Sequence, residues 1–351
     1  MPPPRPPRER ARGVAVAVGR QPPCAGCGAK MAGTGLAAAL ARLPAPARAD
    51  VASLPGDDAA ILRHGDGWQV LTTDHLRAFT EDPALFARIA AVHALGDIWA
   101  MGAAPQAATA TVILPRMAPP LAEATLAELL HPAAEVFRAE GAELVGGHTT
   151  FGDELTLGLS ITGLRDTAPI ALEGAVPGDA LILTKPIGSG TILAGEMQLR
   201  AAGRDVAACH AAMAAPQGGL ARLMTPHAHA MTDVTGFGLA GHLMNICLAS
   251  AVGARLSVEA IPVFPGAEAL AAAGVHSTLY PDNRAAVADL IHGLGDTPRE
   301  RLLFDPQTSG GLLAAVPGAE ADAMLAALQQ TGATAARIGS LVDAPPGITL
   351  A

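Results

Sequence analysis

Between positions 68 and 164 the chain alternates strand-like and helix-like runs, and that order restricts its fold more than any other feature. Residues 68–73 (WQVLTT) combine aromatic and β-branched side chains, the composition of a half-buried strand, and deliver Asp74 at the strand's end. Glu81-Asp82-Pro83 then places acids and a proline where a helix begins, which predicts a helix over 83–101. Phe86, Ile89, Ala90, Ala94 and Ile98 recur at helical spacing and give that helix one apolar face. Further strands are expected at 109–114, 143–145 and 155–164, with a second helix at 121–140 that Pro132 should kink or interrupt. Strands and helices in alternation bury their apolar faces as a mixed α/β unit.

Asp, Thr, Pro and Gly collect at 165–179 and mark a boundary, after which a second α/β segment begins. It is expected to hold a strand at 180–184, helices at 191–202 and 205–214, a turn-rich loop at 231–238 and a helix through Leu248. Short strands at 255–259 and 261–263 follow, then a strand at 312–316, a helix at 320–330 and a closing strand near Ile338. A chain of 351 residues accommodates two domains of ordinary size. The expected division is an N-terminal arm over 1–45, a first domain over 46–166 and a second over 167–351. Residues 1–23 hold seven prolines and five arginines, with too little apolar surface to order themselves.

Composition removes several functional classes. Aromatic residues make up 3% of the chain and the net charge is -9, so neither base stacking nor a basic footprint supports a nucleic-acid partner. No run of about 18 residues is free of polar interruption, so no membrane span is expected. The basic N-terminus lacks the apolar core of a secretory signal. Four cysteines make no disulfide framework and fit a reducing, cytoplasmic setting.

Two groups of residues carry chemistry. Cys24-Ala25-Gly26-Cys27-Gly28-Ala29-Lys30 brings two thiols and an ammonium together, and a neighbouring cation favours the nucleophilic, metal-binding thiolate. Of the 23 basic residues, Lys30 and Lys185 alone are lysines, which marks positions that want a compact ammonium. A thioredoxin-like pair would need a preceding strand, and a zinc site would need two more ligands at close spacing. A reactive cysteine activated by Lys30 is the leading reading, and two incidental thiols are the bland one. The second group is Asp58, Asp74, Asp97 and Asp233, each beside Gly, Ala or Thr. Hard carboxylate oxygens so placed suit a magnesium–nucleotide site, although a helix cap or surface acid explains any one of them alone. The P-loop pattern GxxxxGK[ST] is missing. Glycine turns at Gly146-Gly147-His148, Gly188-Ser189-Gly190 and Ser309-Gly310-Gly311 instead offer backbone N–H groups to phosphate.

In order along the chain, GCGAK, DDAA, TTD, GDIWAMG, GGHT, LTKPIGSG, MTDVTGFGLAGHL and FDPQTSGGLL closely resemble the motifs of the selenophosphate synthetase (selenide, water dikinase) family. That family lies within the aminoimidazole ribonucleotide synthetase-like superfamily, and the match runs from about Cys27 to the C-terminus. The resemblance implies a two-domain α/β (α+β) fold, with a first mixed α/β domain whose sheet forms a homodimer and a C-terminal α/β domain. It implies that ATP, selenide and water yield selenophosphate, AMP and orthophosphate. Carried over by position, it implies Cys27 and Lys30 as catalytic residues, and Asp58, Asp97 and Asp233 as ligands of more than one Mg²⁺. It also implies nucleotide contacts from Lys30, Pro55, Gly56, Asp57, Asp74, Asp97, Gly146, Gly147 and His148, and K⁺ is a further candidate cofactor. The chain departs from the family pattern at Ala29, where a second Cys is usual, at His75-Leu76 in place of two aromatics, and at His93 in place of an Asn. Two other functions use the same residues: another ATP-using enzyme of the superfamily with a small non-selenium substrate, or a decayed Mg-nucleotide-binding protein.

Overall fold

The computed structural model describes residues 39–40, 42–43, 47–52 and 57–351. Cys24, Cys27, Lys30, Pro55 and Gly56 lie outside the described residues, so the expectations placed on them are not addressed by the fold.

The first sheet contains β1 (Ala60–His64), β2 (Gly67–Arg77), β3 (Ala104–Pro115), β4 (Glu143–Gly152) and β5 (Thr156–Arg165), in the order β1-β2-β5-β3-β4. Neighbours are antiparallel except β3 and β4, which run parallel on either side of a helical crossover. Side chains alternate along β2: Val70, Thr72 and Leu76 are buried, while Leu71, Thr73 and His75 are exposed on the other face. Helices α1 (Pro83–Ala100) and α2 (Pro119–Ala139) pack on the buried face. The Asp82 carboxylate caps α1 by accepting from the Ala84 and Leu85 amides, both at 3.0 Å, with Pro83 at the first turn. Helix α2 continues through Pro132, where a kink or break was expected. The proline is buried beside Leu129, Ala133, Val136 and Phe137, and that apolar seam holds the turn despite the missing N–H.

The second sheet contains β6 (Asp179–Leu183), β7 (Ala230–Asp233), β8 (Gly253–Leu256), β9 (Ile291–His292), β10 (Leu312–Pro317), β11 (Ala336–Val342) and β12 (Gly347–Leu350), in the order β7-β10-β6-β11-β8-β12-β9. Between these strands run α3 (Ser189–Met197), α4 (Gly203–Met213), α5 (Gly218–Met224), α6 (Gly238–Ser250), α7 (Ala267–Ala272), α8 (Tyr280–Val287), α9 (Pro298–Arg301) and α10 (Ala321–Gln330). Along β6 and β10, Ala180, Ile182, Leu312, Ala314 and Val316 join the core of the first sheet and its helices. Their alternate neighbours Leu181, Leu183, Leu313 and Ala315 turn into a second core with α4 and α6.

Helix α1 is the layer both units share. One apolar face was expected, yet every residue from Phe86 to Ala100 except Arg88 is buried. A helix buried all round needs partners all round, and β7, α4 and α5 supply the side away from the first sheet.

The remaining differences from the sequence reading are local. Residues 231–233, expected as loop, form β7, because their pairing with β10 is a long-range contact that no local period reveals. The strand expected at 255–259 ends at Leu256, and Val258–Ala260 is a short 3₁₀ turn. Residues 261–263 contribute a single bridge, Val263 to Ile187. The helix expected to reach 202 ends at Met197, two residues before Leu199 takes a left-handed backbone with φ +57°. Among the described residues no helix is long and apolar enough to cross a membrane.

Candidate functional site

Three carboxylates meet where the two sheets adjoin. Asp58 precedes β1, Asp97 lies in α1 and Asp233 ends β7, and one oxygen from each falls within 4.8 Å of the others. Asp97 is 9% and Asp233 3% exposed, so their charges face one another with little water between. Such an arrangement suits a cation, and an all-oxygen donor set fits a hard ion such as Mg²⁺.

The surrounding fold fixes each acid separately. Thr72, pointing inward from β2, donates its hydroxyl to Asp97 Oδ2. Thr232, one residue before Asp233, donates to Asp58 Oδ1 at 2.9 Å. Gly96 lets α1 approach Asp233, since a side-chain carbon there would overlap Asp233 Oδ2.

Asp74 sits within β2 rather than at its end, two residues after Thr72 and on the same face. Its Oδ2 lies 3.2 Å from Nε2 of His93, one helical turn before Asp97. Nδ1 of His93 accepts the Ser309 amide at 3.3 Å, so the ring's proton is on Nε2 and is directed at Asp74. Asp57 lies beside Asp58, whose amide donates to Asp57 Oδ1 at 2.9 Å. Burial pushes the Asp57 carboxyl above the ordinary carboxylate range, against that amide.

Gly146, Gly147 and His148 are not a turn but part of β4, the exposed edge strand. Strands β5 and β3 separate β4 from β2, which places these residues roughly 14 Å from Asp74 across the sheet. His148 pairs in register with Thr111 and shares its outward face, away from the acids. One copy of the chain therefore gathers Asp57, Asp58, Asp74, Asp97 and Asp233 and holds Gly146–His148 apart.

The 188–190 turn is tied to the segment that precedes the 309–311 turn. Gln307 Oε1 accepts from the Gly188 and Ser189 amides at 2.9 and 3.0 Å, and Asp305 accepts from the Thr191 amide and hydroxyl at 3.1 and 2.8 Å. The Gly188 and Ser189 amides, and the Ser309 amide that donates to His93, are engaged within the protein, which corrects the expectation that these groups face phosphate. Burial pushes the Asp305 carboxyl up to about 6, opposed by the Thr191 hydroxyl.

Lys185 is buried below this loop, with Nζ donating to the Ser309 carbonyl at 3.1 Å. Burial pushes its ammonium down to about 7, while Cys209 and Asp233 pull the other way. Cys209 and Cys247 are buried free thiols whose pKa values burial raises, so neither supplies a thiolate. Thr72 and His242 were not singled out in the sequence, while His93, Thr232 and Ser309 were, but not for the hydrogen bonds they make here. Strand alternation was the available signal for Thr72, which shares a face with Asp74; the others meet the acids through tertiary contacts alone.

Residues 56–165 match the family model described as AIR synthase related protein, N-terminal domain, and residues 176–350 match the corresponding C-terminal domain. A selenide, water dikinase of Nitratidesulfovibrio vulgaris (strain DSM 19637 / Miyazaki F) is 38% identical over 334 residues, spanning 92% of this chain and 95% of the relative. A selenide, water dikinase of Yersinia pestis is 39% identical over 298 residues, spanning 82% of this chain and 83% of the relative. Among solved structures, tt0281 from Thermus thermophilus superposes with a TM-score of 0.68 at 24% identity, covering 91% of this chain and 96% of that one. The two-domain α/β fold expected from the sequence is thus the fold observed.

Two outcomes follow from this geometry. Gly96→Ala forces Asp233 out of the cluster, so Mn²⁺ affinity measured by electron paramagnetic resonance should fall at least about tenfold; unchanged affinity would refute the role given to the close approach. Lys185 has a depressed folded pKa of about 7 against an ordinary value of 10.5. Between those values the unfolded chain binds a proton that the folded chain does not, so this group's contribution to stability rises with pH and its penalty is complete below about 7. Lys185→Met should therefore melt above the parent at pH 6, with the gap closing as pH rises toward 10; a gap that ignores pH contradicts the burial argument.

Proposed function

The chain belongs to the selenide, water dikinase family, and from that membership we propose that it makes selenophosphate from ATP, selenide and water, releasing AMP and orthophosphate. The observation that carries this reading is the likeness to dikinases along nearly the whole chain; the convergence of Asp58, Asp97 and Asp233 supports its metal-dependent part. Two phosphoryl groups leave one nucleotide, one to selenide and one to water, so the site handles dense negative charge. In this reading the three aspartates hold Mg²⁺, more than one ion with the nucleotide bound, and the metal offsets charge on the phosphoryl oxygens. Asp57, Asp74 and Asp97, with Pro55 and Gly56, contact the nucleotide in one copy, Gly146, Gly147 and His148 reach it from a second copy, and K⁺ is a further candidate ion.

Cys27 and Lys30 are assigned the soft half of the chemistry. A thiolate at Cys27 binds or positions selenium, and the Lys30 ammonium both favours that thiolate and faces phosphate as a point charge. The partner in this reading is a second copy docked on the outer face of the first sheet. In support, Thr73, His75, Thr109 and Thr111 expose small or polar side chains there, and His148 shares the face. A second copy on that face closes off the exposed row and brings further groups toward the Gly146–His148 strand.

Anaerobic ³¹P NMR tests the activity. Selenide-dependent loss of ATP should give AMP, orthophosphate and a selenium-bonded phosphorus signal, and Cys27→Ser should abolish it. Formation of ADP would instead indicate a different ATP-using reaction, and tight binding without turnover a decayed enzyme. Sedimentation at micromolar concentration should give a dimer, and Thr111→Arg, with charge on the outer face, should shift it to monomer; a parent chain that sediments as a monomer overturns the pairing.

A further inference from the structure

His242, on α6, is 5% exposed, and the function proposed above gives it no role. Its Nε2 accepts the Thr235 amide at 3.1 Å, and its ring lies 5.6 Å from that of Phe237, centre to centre. Nδ1 lies 3.4 Å from Thr232 Oγ1, and that hydroxyl donates to Asp58 Oδ1 at 2.9 Å. Thr232 is fully buried, and its oxygen also lies 3.3 Å from the Asp233 carbonyl, a competing acceptor.

The tautomer follows from these contacts. A backbone N–H can only donate, so Nε2 presents its lone pair to Thr235 and the ring proton resides on Nδ1. Nδ1–H then donates to the Thr232 oxygen, whose single hydrogen is left for one of two acceptors. The Asp58 carboxylate is nearer and charged, so it takes that hydrogen, and a charge-assisted bond is the stronger choice. The relay runs one way: imidazole N–H to threonine oxygen, threonine O–H to carboxylate. We propose that His242 is a positioning residue for Asp58, fixing the Thr232 hydroxyl so that one Asp58 oxygen is held and the carboxylate is presented to the cation. This rests on reading the three aspartates as a cation site. Ligating carboxylates are commonly steadied by such outer hydrogen bonds, whose loss weakens metal binding about 10–100-fold. Thr72 does the equivalent for Asp97 from the opposite side of the cluster.

The test is Mn²⁺ affinity of the full chain, titrated by electron paramagnetic resonance, with folding followed by circular dichroism. An asparagine amide nitrogen overlies Nδ1, whereas a glutamine amide overlies Nε2 and leaves Thr232 without its donor. His242→Asn should bind Mn²⁺ within about threefold of the parent, while His242→Gln and Thr232→Val should each lose about tenfold or more. The His242→Gln/Thr232→Val double variant should bind no more weakly than Thr232→Val alone, since both changes break one relay. Parent-like affinity in His242→Gln, or additive losses in the double variant, overturns the proposal. Asp58→Asn separates the two levels of inference. If the parent binds Mn²⁺ and Asp58→Asn does not, the cation site stands and the histidine variants judge the relay; if the parent binds none, both fail. Should the His242 variants not fold, Thr232→Ser against Thr232→Val decides: retention in the first with loss in the second supports the relay, and retention in both overturns it.

Discussion

Burial of α1 on every side is the constraint that shapes this molecule. The helix lies between the first sheet and the second unit, and from Phe86 to Ala100 every residue but Arg88 is buried. Apolar contact alone would favour alanine and leucine throughout, yet the buried stretch includes His93, Gly96 and Asp97. A buried carboxylate or imidazole is tolerated only when its polar atoms are engaged. Thr72 serves Asp97, while Asp74 and the Ser309 amide serve the two nitrogens of His93. The polar contacts of α1 thus reach both units, and His93 connects a strand of one with a loop of the other.

That loop is held as firmly as the helix. Gln307 and Asp305 occupy the amides of the 188–191 turn, and Gly310 packs where any side chain would strike the Val234 carbonyl. Ser309 itself adopts a left-handed backbone, φ +51°, which an L-residue accepts only when its surroundings require it. Its amide donates to His93, its carbonyl accepts from Lys185 and its hydroxyl donates to Met213, so every polar group of the residue is used. The glycines here allow close packing of one part of the protein on another. Their sequence pattern matches a phosphate cradle because tight turns and cradles both need an unobstructed backbone.

Much of the architecture was legible in the sequence because it rests on local periodicity. The 68–73 strand, the helix begun by Asp82-Pro83 and the strands at 180–184 and 312–316 each declared themselves through composition, spacing or caps. What remained hidden is non-local. Strand β7 exists because β10 lies beside it, and β4 extends through a glycine pair because β3 accepts it across a register shift. The site divides the same way. The aspartates were picked out by residue type, whereas their convergence from positions 58, 97 and 233 depends on how the two units dock. Threonines and histidines that steady them look ordinary in sequence, since a buried hydroxyl carries no periodic signature.

The donor chemistry also divides cleanly. Among the described residues the candidate cation site offers carboxylate oxygens steadied by hydroxyls, all hard groups, while both buried cysteines are held as thiols by their apolar surroundings. Oxygen donors of this kind suit a hard cation and match a soft chalcogen poorly. The function proposed above assigns selenium to Cys27, in the same seven-residue stretch as Cys24 and Lys30, and the residue between Gly28 and Lys30 is alanine. Of the two cysteines, the resemblance implies Cys27 as the reactive residue, and it lies three residues from Lys30 in sequence while Cys24 lies six away. In that reading a thiolate, as a soft donor, competes poorly with carboxylate oxygens for a hard cation.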